Sequence, residues 1–234
     1  PNGKFVSWDI ETDTSAGTGL EPASAGVTSI AAGVYESTAS KLIEHDTFFA
    51  TIGDQDPTAG HGDLDEVGVI AAFDRWIRSG GKVSPYEITY LLGWNSTVFD
   101  APFVFRRSEM AGLDIALFLS FDPSIHPKYE PIAGFFGGYQ HRWTHLMSRD
   151  LAYGDFFTQT WCAERDVKWM LKDVAEHHDL SPVRVDREKI HELTRPELEA
   201  YNLSDVRAVA SLYAVSVGHP IEIEIQDDAS DVTK

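Results

Sequence analysis

Three strand-patterned runs fill the first fifty residues, and beyond them strand-length and helix-length patterns alternate. No other feature of the chain narrows its fold so far. Residues 4–10 and 28–35 are apolar-rich, and 41–52 is a third run of the same kind. A Gly/Ser/Thr/Ala loop reaching about Gly26 separates the first two. Strands divided by turn residues predict an antiparallel meander. Asp63 with Glu66 then predicts the cap of a helix whose apolar face carries Val67, Ile70, Phe73, Trp76 and Ile77. Residues 88–94 read as a buried strand. Residues 101–112 read as a helix with Pro102 in its first turn and Gly112 at its end. Residues 120–143 are rich in Pro, Gly and aromatics and predict a long loop or hairpin, followed by a strand over 145–151 and shorter helices. Thr194-Arg195-Pro196-Glu197 is a capping box that opens a helix reaching about Val217. Strands first and alternation afterwards predict an α/β fold, a mixed central sheet flanked by helices.

The chain has 234 residues, enough for a sizeable core, and 43% of them are hydrophobic and 24% charged. No apolar stretch is long enough to span a bilayer, and no basic-then-apolar leader opens the sequence, so no membrane role and a cytoplasmic location are expected. Cys162 stands alone, which excludes a disulfide framework and a cysteine-based zinc site within one chain. The net charge of −18 is the unusual feature, because a polyanion would be repelled by it. Metal ions at a carboxylate cluster invert such a field locally. Asp outnumbers Glu and Arg outnumbers Lys, a balance that suits a halophilic protein whose acidic surface keeps it soluble in high salt.

Several carboxylates stand where chemistry would place them. Asp9 and Glu11 lie two apart at the end of the first strand, so they point to one face. Two carboxylates on one face repel, and burying them calls for a cation; Mg²⁺ and Mn²⁺ take such oxygen ligands. Taken alone, the pair is better explained as solvated loop residues. Asp100 follows an apolar run and precedes a helix, which by itself fits an N-cap. Tyr201 and Asp205 share a face of the last helix with Leu198, Val209 and Leu212. An aspartate there needs a partner: a metal ion, or an arginine such as Arg207 or Arg195.

In combination these segments resemble the exonuclease domain of family B DNA polymerases and its standalone relatives, the tyrosine subclass of DEDD 3′–5′ exonucleases. Ser7-Trp8-Asp9-Ile10-Glu11-Thr12 is similar to the family's first motif. Gly93-Trp94-Asn95-Ser96-Thr97-Val98-Phe99-Asp100-Ala101-Pro102-Phe103 resembles the second, and Tyr201-Asn202-Leu203-Ser204-Asp205 the third. Ala200 stands where the histidine subclass would place its histidine. Asp150-Leu151 and Leu171-Lys172-Asp173-Val174-Ala175 resemble stretches between the second and third motifs, so the likeness covers nearly the whole chain. No polymerase-sized segment follows, which leaves a freestanding nuclease or an excised domain.

The resemblance implies a ribonuclease-H-like (DnaQ-like) fold, with an exonuclease domain over 1–218 and an acidic C-terminal tail over 219–234. It implies two divalent metal ions, Mg²⁺ or Mn²⁺. Asp9, Glu11 and Asp205 would hold one, Asp9 and Asp100 the second, and Tyr201 would orient the attacking water. The implied reaction releases nucleoside 5′-monophosphates from the 3′ end of single-stranded nucleic acid, DNA favoured over RNA. Implied partners are such 3′ ends and a polymerase or repair complex. Thr12, Asn95, Phe103 and Arg106 are candidate substrate contacts, with Trp8 as another neighbour of the terminal nucleotide. The segment from Phe135 to Trp143 mixes aromatics with cations; it reads first as a loop whose aromatics pack on the core, and second as a substrate loop. The histidines, His141, His145, His177 and His178 among them, assemble no metal site by spacing, and Gly17 and Gly19 complete no phosphate-binding loop. The alternative is a nucleic-acid-binding or proofreading module within a larger polymerase or repair assembly.

Overall fold

The computed structural model describes residues 4–15, 17, 19–36, 41–50, 64–79, 88–96, 98–113, 147–152 and 156–219. The elements are β1 (Lys4–Thr12), β2 (Val27–Glu36), β3 (Leu42–Phe49), α1 (Glu66–Ser79), β4 (Ile88–Gly93), α2 (Asp100–Met110), β5 (Met147–Asp150), α3 (Gln159–Ala163), α4 (Leu171–His177) and α5 (Arg195–Ser216). A 3-10 helix at Arg187–Glu192 precedes α5.

The strands form one mixed sheet of five in the order β3-β2-β1-β4-β5. β2 runs antiparallel to both β1 and β3, which is the expected meander. β4 then joins the far edge of β1 in parallel, and β5 joins β4 in parallel. β1 is therefore the central strand, paired on both sides, so both of its faces need cover.

That cover follows the pleat. Val6, Trp8 and Ile10 point to one face and pack with Val69, Ile70, Phe73 and Ile77 of α1 and Phe103 and Val104 of α2. Trp8 stacks on Phe73 with ring centroids 5.3 Å apart. Phe5 points to the other face and packs with Val174 and Ala175 of α4 and Val206, Val209 and Leu212 of α5. Ser7 on that same face donates its hydroxyl to the Val206 carbonyl at 2.8 Å. Asn202 of α5 donates to the Ser29 hydroxyl of β2 at 2.9 Å, also in the interior. Buried polar groups are costly unless paired, so these two bonds specify where α5 lies along the sheet.

The helix starts follow their local chemistry, with one correction. The Thr194–Glu197 capping box is formed, with Pro196 in the first turn of α5. The expected Asp63 lies outside the described residues; Asp65 takes the capping role at α1, accepting from the Gly68 N–H at 2.7 Å. Glu66 does not close a capping box. It accepts from the Val27 N–H at 2.8 Å and pairs with Arg107 of α2 through two guanidinium nitrogens. Arg107 also donates to the Pro22 carbonyl at 2.8 Å, so one side-chain pair joins the loop after β1 to both helices of that face. Gly112 ends α2 in the left-handed region at φ +69°, as its position predicts. The expected loop over 120–143, including Phe135 to Trp143, and the tail from 220 onward lie outside the described residues.

Candidate metal centre

Alternation along β1 puts Asp9 and Glu11 on the face that carries Phe5 and Ser7, which is the face covered by α5. On α5, Asp205 lies one residue before Val206, whose carbonyl is tied to Ser7. The tie sets the helix register so that Asp205 meets the end of β1. Oxygens of Asp9, Glu11 and Asp205 all come within 4.8 Å of one another, and these three acidic residues can bind a metal ion. Glu11 and Asp205 are buried and Asp9 is half-buried.

Asp100 reaches β1 from the start of α2. The N-cap of α2 is Phe99, and its side chain makes no capping bond, so the simple capping role for Asp100 does not hold. Asp100 instead lies in the first turn and accepts from the Ile10 N–H at 3.4 Å, between the two carboxylates of β1. Its charge reaches Asp9 directly, as the next influence on Asp9 after burial itself. The turn that carries Asp100 is fixed by Asp150 at the end of β5. That carboxylate accepts from the backbone N–H of Asn95 at 2.7 Å and of Ala152 at 3.0 Å. Asn95 takes φ +60°, a conformation open to Asn at modest cost.

The electrostatics agree with a cation site. Burial first, and the crowding of Asp100, Asp205 and Glu11 second, hold the Asp9 carboxyl well above the usual range. Glu11 is held well above its usual range by burial and then by Asp205. Burial pushes Asp100 up to about 7, with Asp150 adding to the push, and Asp205 up to about 6 despite its cationic neighbours. Carboxylates that resist ionisation in close company are the donor set that a hard divalent ion would relieve.

Among the described residues two cations face this group, and spacing in the sequence pointed to neither. Lys172 on α4 is buried, with its Nζ 3.0 Å from Asp205 Oδ1, 2.5 Å from the Val183 carbonyl and 3.6 Å from the centroid of the Tyr201 ring. It, and not Arg195 or Arg207, is the partner that the buried aspartate required. Arg187 opens the 3-10 helix, hydrogen-bonds Tyr201, and its charge acts on Glu11, Asp205 and Asp100. Four carboxylates against two cations leave a formal excess of two negative charges, the charge of one divalent ion. A lysine inside a helical "Leu-x-x-Val-Ala" pattern reads from sequence as a surface residue, and only the way α4 packs on α5 aims it inward.

Tyr201 is buried one helical turn from Asp205, as the four-residue spacing predicts. Burial, and then the charges of Glu11 and Asp205, raise its phenol far above its ordinary value, so it remains a hydroxyl donor at neutral pH.

The expected substrate contacts are distributed differently. Phe103 is fully buried in the core beneath the site, with its ring 5.5 Å from Phe99. Trp8 likewise faces the core, because it alternates with Ser7 and Asp9. Thr12 is buried and donates its hydroxyl to the Gly19 carbonyl at 2.7 Å, which folds the loop after β1 back upon itself. Arg106 lies on the outer side of α2, 3.9 Å from Glu109. Asn95 is at the turn before Asp100. His177 and His178 pack edge-to-face with each other, and His178 stacks on Trp161.

No family description and no curated protein matches the chain. Among solved structures it is similar to the family B DNA polymerase from the hyperthermophilic archaeon Pyrobaculum calidifontis, with a TM-score of 0.59 and 18% identity. The likeness covers 93% of this chain and 25% of the polymerase, so the chain spans about a quarter of that protein's length. The fold of this chain, a mixed sheet flanked by helices, is thus one that also occurs as a part of a family B DNA polymerase.

Proposed function

We propose that this chain is a metal-dependent 3′–5′ exonuclease of the DEDD tyrosine subclass, on a ribonuclease-H-like fold, with its catalytic unit within residues 1–218. The convergence of Asp9, Glu11 and Asp205 beside a buried, protonated Tyr201 is the observation that carries this reading. Asp9, Glu11 and Asp205 would hold one divalent ion, and Asp9 with Asp100 a second. Bound Mg²⁺ or Mn²⁺ supplies a nucleophilic water at neutral pH and stabilises the entering and leaving oxygens of phosphodiester hydrolysis. Charge balance in the free protein suits one ion, and the single negative charge of the scissile phosphodiester offsets half the charge of a second.

The protein's own residues do the rest. Tyr201 donates its hydroxyl to the attacking water and so directs its lone pair. Lys172 grips Asp205 and covers the face of the Tyr201 ring, holding both in place before the metal arrives. Asp150 keeps the Asn95–Asp100 turn in the shape that presents Asp100 to β1. Single-stranded DNA is the favoured substrate. A role as the proofreading part of a larger polymerase assembly is the second reading, favoured by the match to a quarter of a polymerase.

The test is digestion of 5′-labelled single-stranded DNA and RNA with Mg²⁺ or Mn²⁺, beside Asp9→Ala protein and a circular substrate. A ladder shortening from the 3′ end, absent with Asp9→Ala and on the circle, is the expected outcome. Undiminished activity of Asp9→Ala, or cutting of the circle, would end the proposal.

A further inference from the structure

The 3-10 helix before α5 is anchored more firmly than a connecting segment needs to be. Its Ile190 is buried against Leu198 and Tyr201. Its His191 holds the loop that leaves β1: the Thr14 hydroxyl lies 2.9 Å from His191 Nδ1 and accepts the His191 N–H at 3.3 Å. Thr14 is three residues beyond Glu11, so the helix is tied to both elements that build the metal centre. Asp186 starts the helix by accepting from the Glu188 N–H at 3.1 Å. The consequence is the placement of Arg187. Its side chain reaches the Tyr201 hydroxyl while the residue remains exposed.

A guanidinium has five N–H donors in a planar fork, and Tyr201 can occupy only part of them. Lys172 cannot serve an incoming ligand in the same way, because it is buried and committed to Asp205, the Val183 carbonyl and the Tyr201 ring. A phosphodiester approaching a chain of net charge −18 needs a cation beside the reacting atoms. We infer that Arg187 receives the scissile phosphate of a single nucleic-acid strand, with Tyr201 and the Thr14–His191 contact holding its fork at the mouth of the metal centre.

This rests on the nuclease reading, so the test separates the two. Affinity for a short 5′-fluorescein-labelled oligodeoxythymidylate is measured by anisotropy in Ca²⁺, across a range of potassium chloride concentrations, for wild type, Arg187→Gln and Arg187→Lys. Loss of a charge-assisted contact predicts affinity about 10- to 100-fold weaker in Arg187→Gln. The slope of log affinity against log salt should flatten by about 0.7, the contribution of one single-strand phosphate. Arg187→Lys should recover the slope but only part of the affinity, because an ammonium cannot fork. Mn²⁺ affinity should be unchanged in Arg187→Lys and no weaker in Arg187→Gln, which loses a positive charge facing the carboxylates. Arg187→Gln binding with wild-type affinity and slope overturns the inference while leaving the nuclease reading standing. So does a fall in kcat without a change in affinity, which would make Arg187 a support for Tyr201 alone. Wild type that neither binds nor cleaves the strand overturns both.

Discussion

Neutralising Asp100 should stabilise the metal-free protein, and by an amount that grows with pH. Asp100 is 4% exposed and its carboxyl is pushed up to about 7 from the ordinary 3.8, by burial and then by Asp150. A carboxyl raised on folding binds its proton more tightly in the native state than in the unfolded one. Stability is therefore undiminished near pH 4, falls as pH rises, and carries the whole penalty above pH 7. A difference of that size corresponds to on the order of 4 kcal/mol at 1.36 kcal/mol per pH unit. Asn is uncharged throughout and keeps an oxygen to accept from the Ile10 N–H, so Asp100→Asn removes the penalty with little change in shape. Thermal melts in chelator should show no gain at pH 4 and a clear gain at pH 8. The Tm shift at pH 8 would be on the order of 10 °C for a protein of this size. Added Mg²⁺ should shrink that gain by neutralising the wild-type carboxylates. The same gain at both pH values, or a loss at pH 8, would refute the electrostatic argument.

Two further outcomes are expected. Lys172→Met removes one partner of a buried ion pair 3.0 Å apart and should destabilise the chelated protein by about 3–5 kcal/mol, with much of the loss restored by Mn²⁺, as measured by urea unfolding. The −18 net charge and its Asp-rich composition predict a Tm that rises from low to molar potassium chloride; a flat or falling Tm would remove the halophilic reading.

Much of the architecture was legible because its periods are short-range. The β1–β3 meander, the Thr194–Glu197 box and the Gly112 stop each follow from a few adjacent residues. The same holds for Asp9 with Glu11 and for Tyr201 with Asp205, since two-residue and four-residue spacings put each pair on one face. Other residues fell on the opposite side of these rules. Trp8 and Phe103 neighbour the motifs in sequence, yet the pleat of β1 and the turn of α2 send both into the core. Asp65 caps α1 in place of Asp63, a shift of two residues that local pattern resolves poorly.

By itself, the sequence determined which carboxylates share a face, because backbone geometry repeats at fixed intervals whatever surrounds it. Tertiary structure alone decided what those faces meet. β1 became the central strand only when β4 paired in parallel along its free edge. α5 settled in register through Ser7 and Asn202, each many residues from its partner along the chain. Lys172 and Arg187 became the counter-charges of the site only when α4 and the 3-10 helix packed against α5. Such choices belong to burial and to long-range pairing of polar groups in a crowded interior, which no local period encodes.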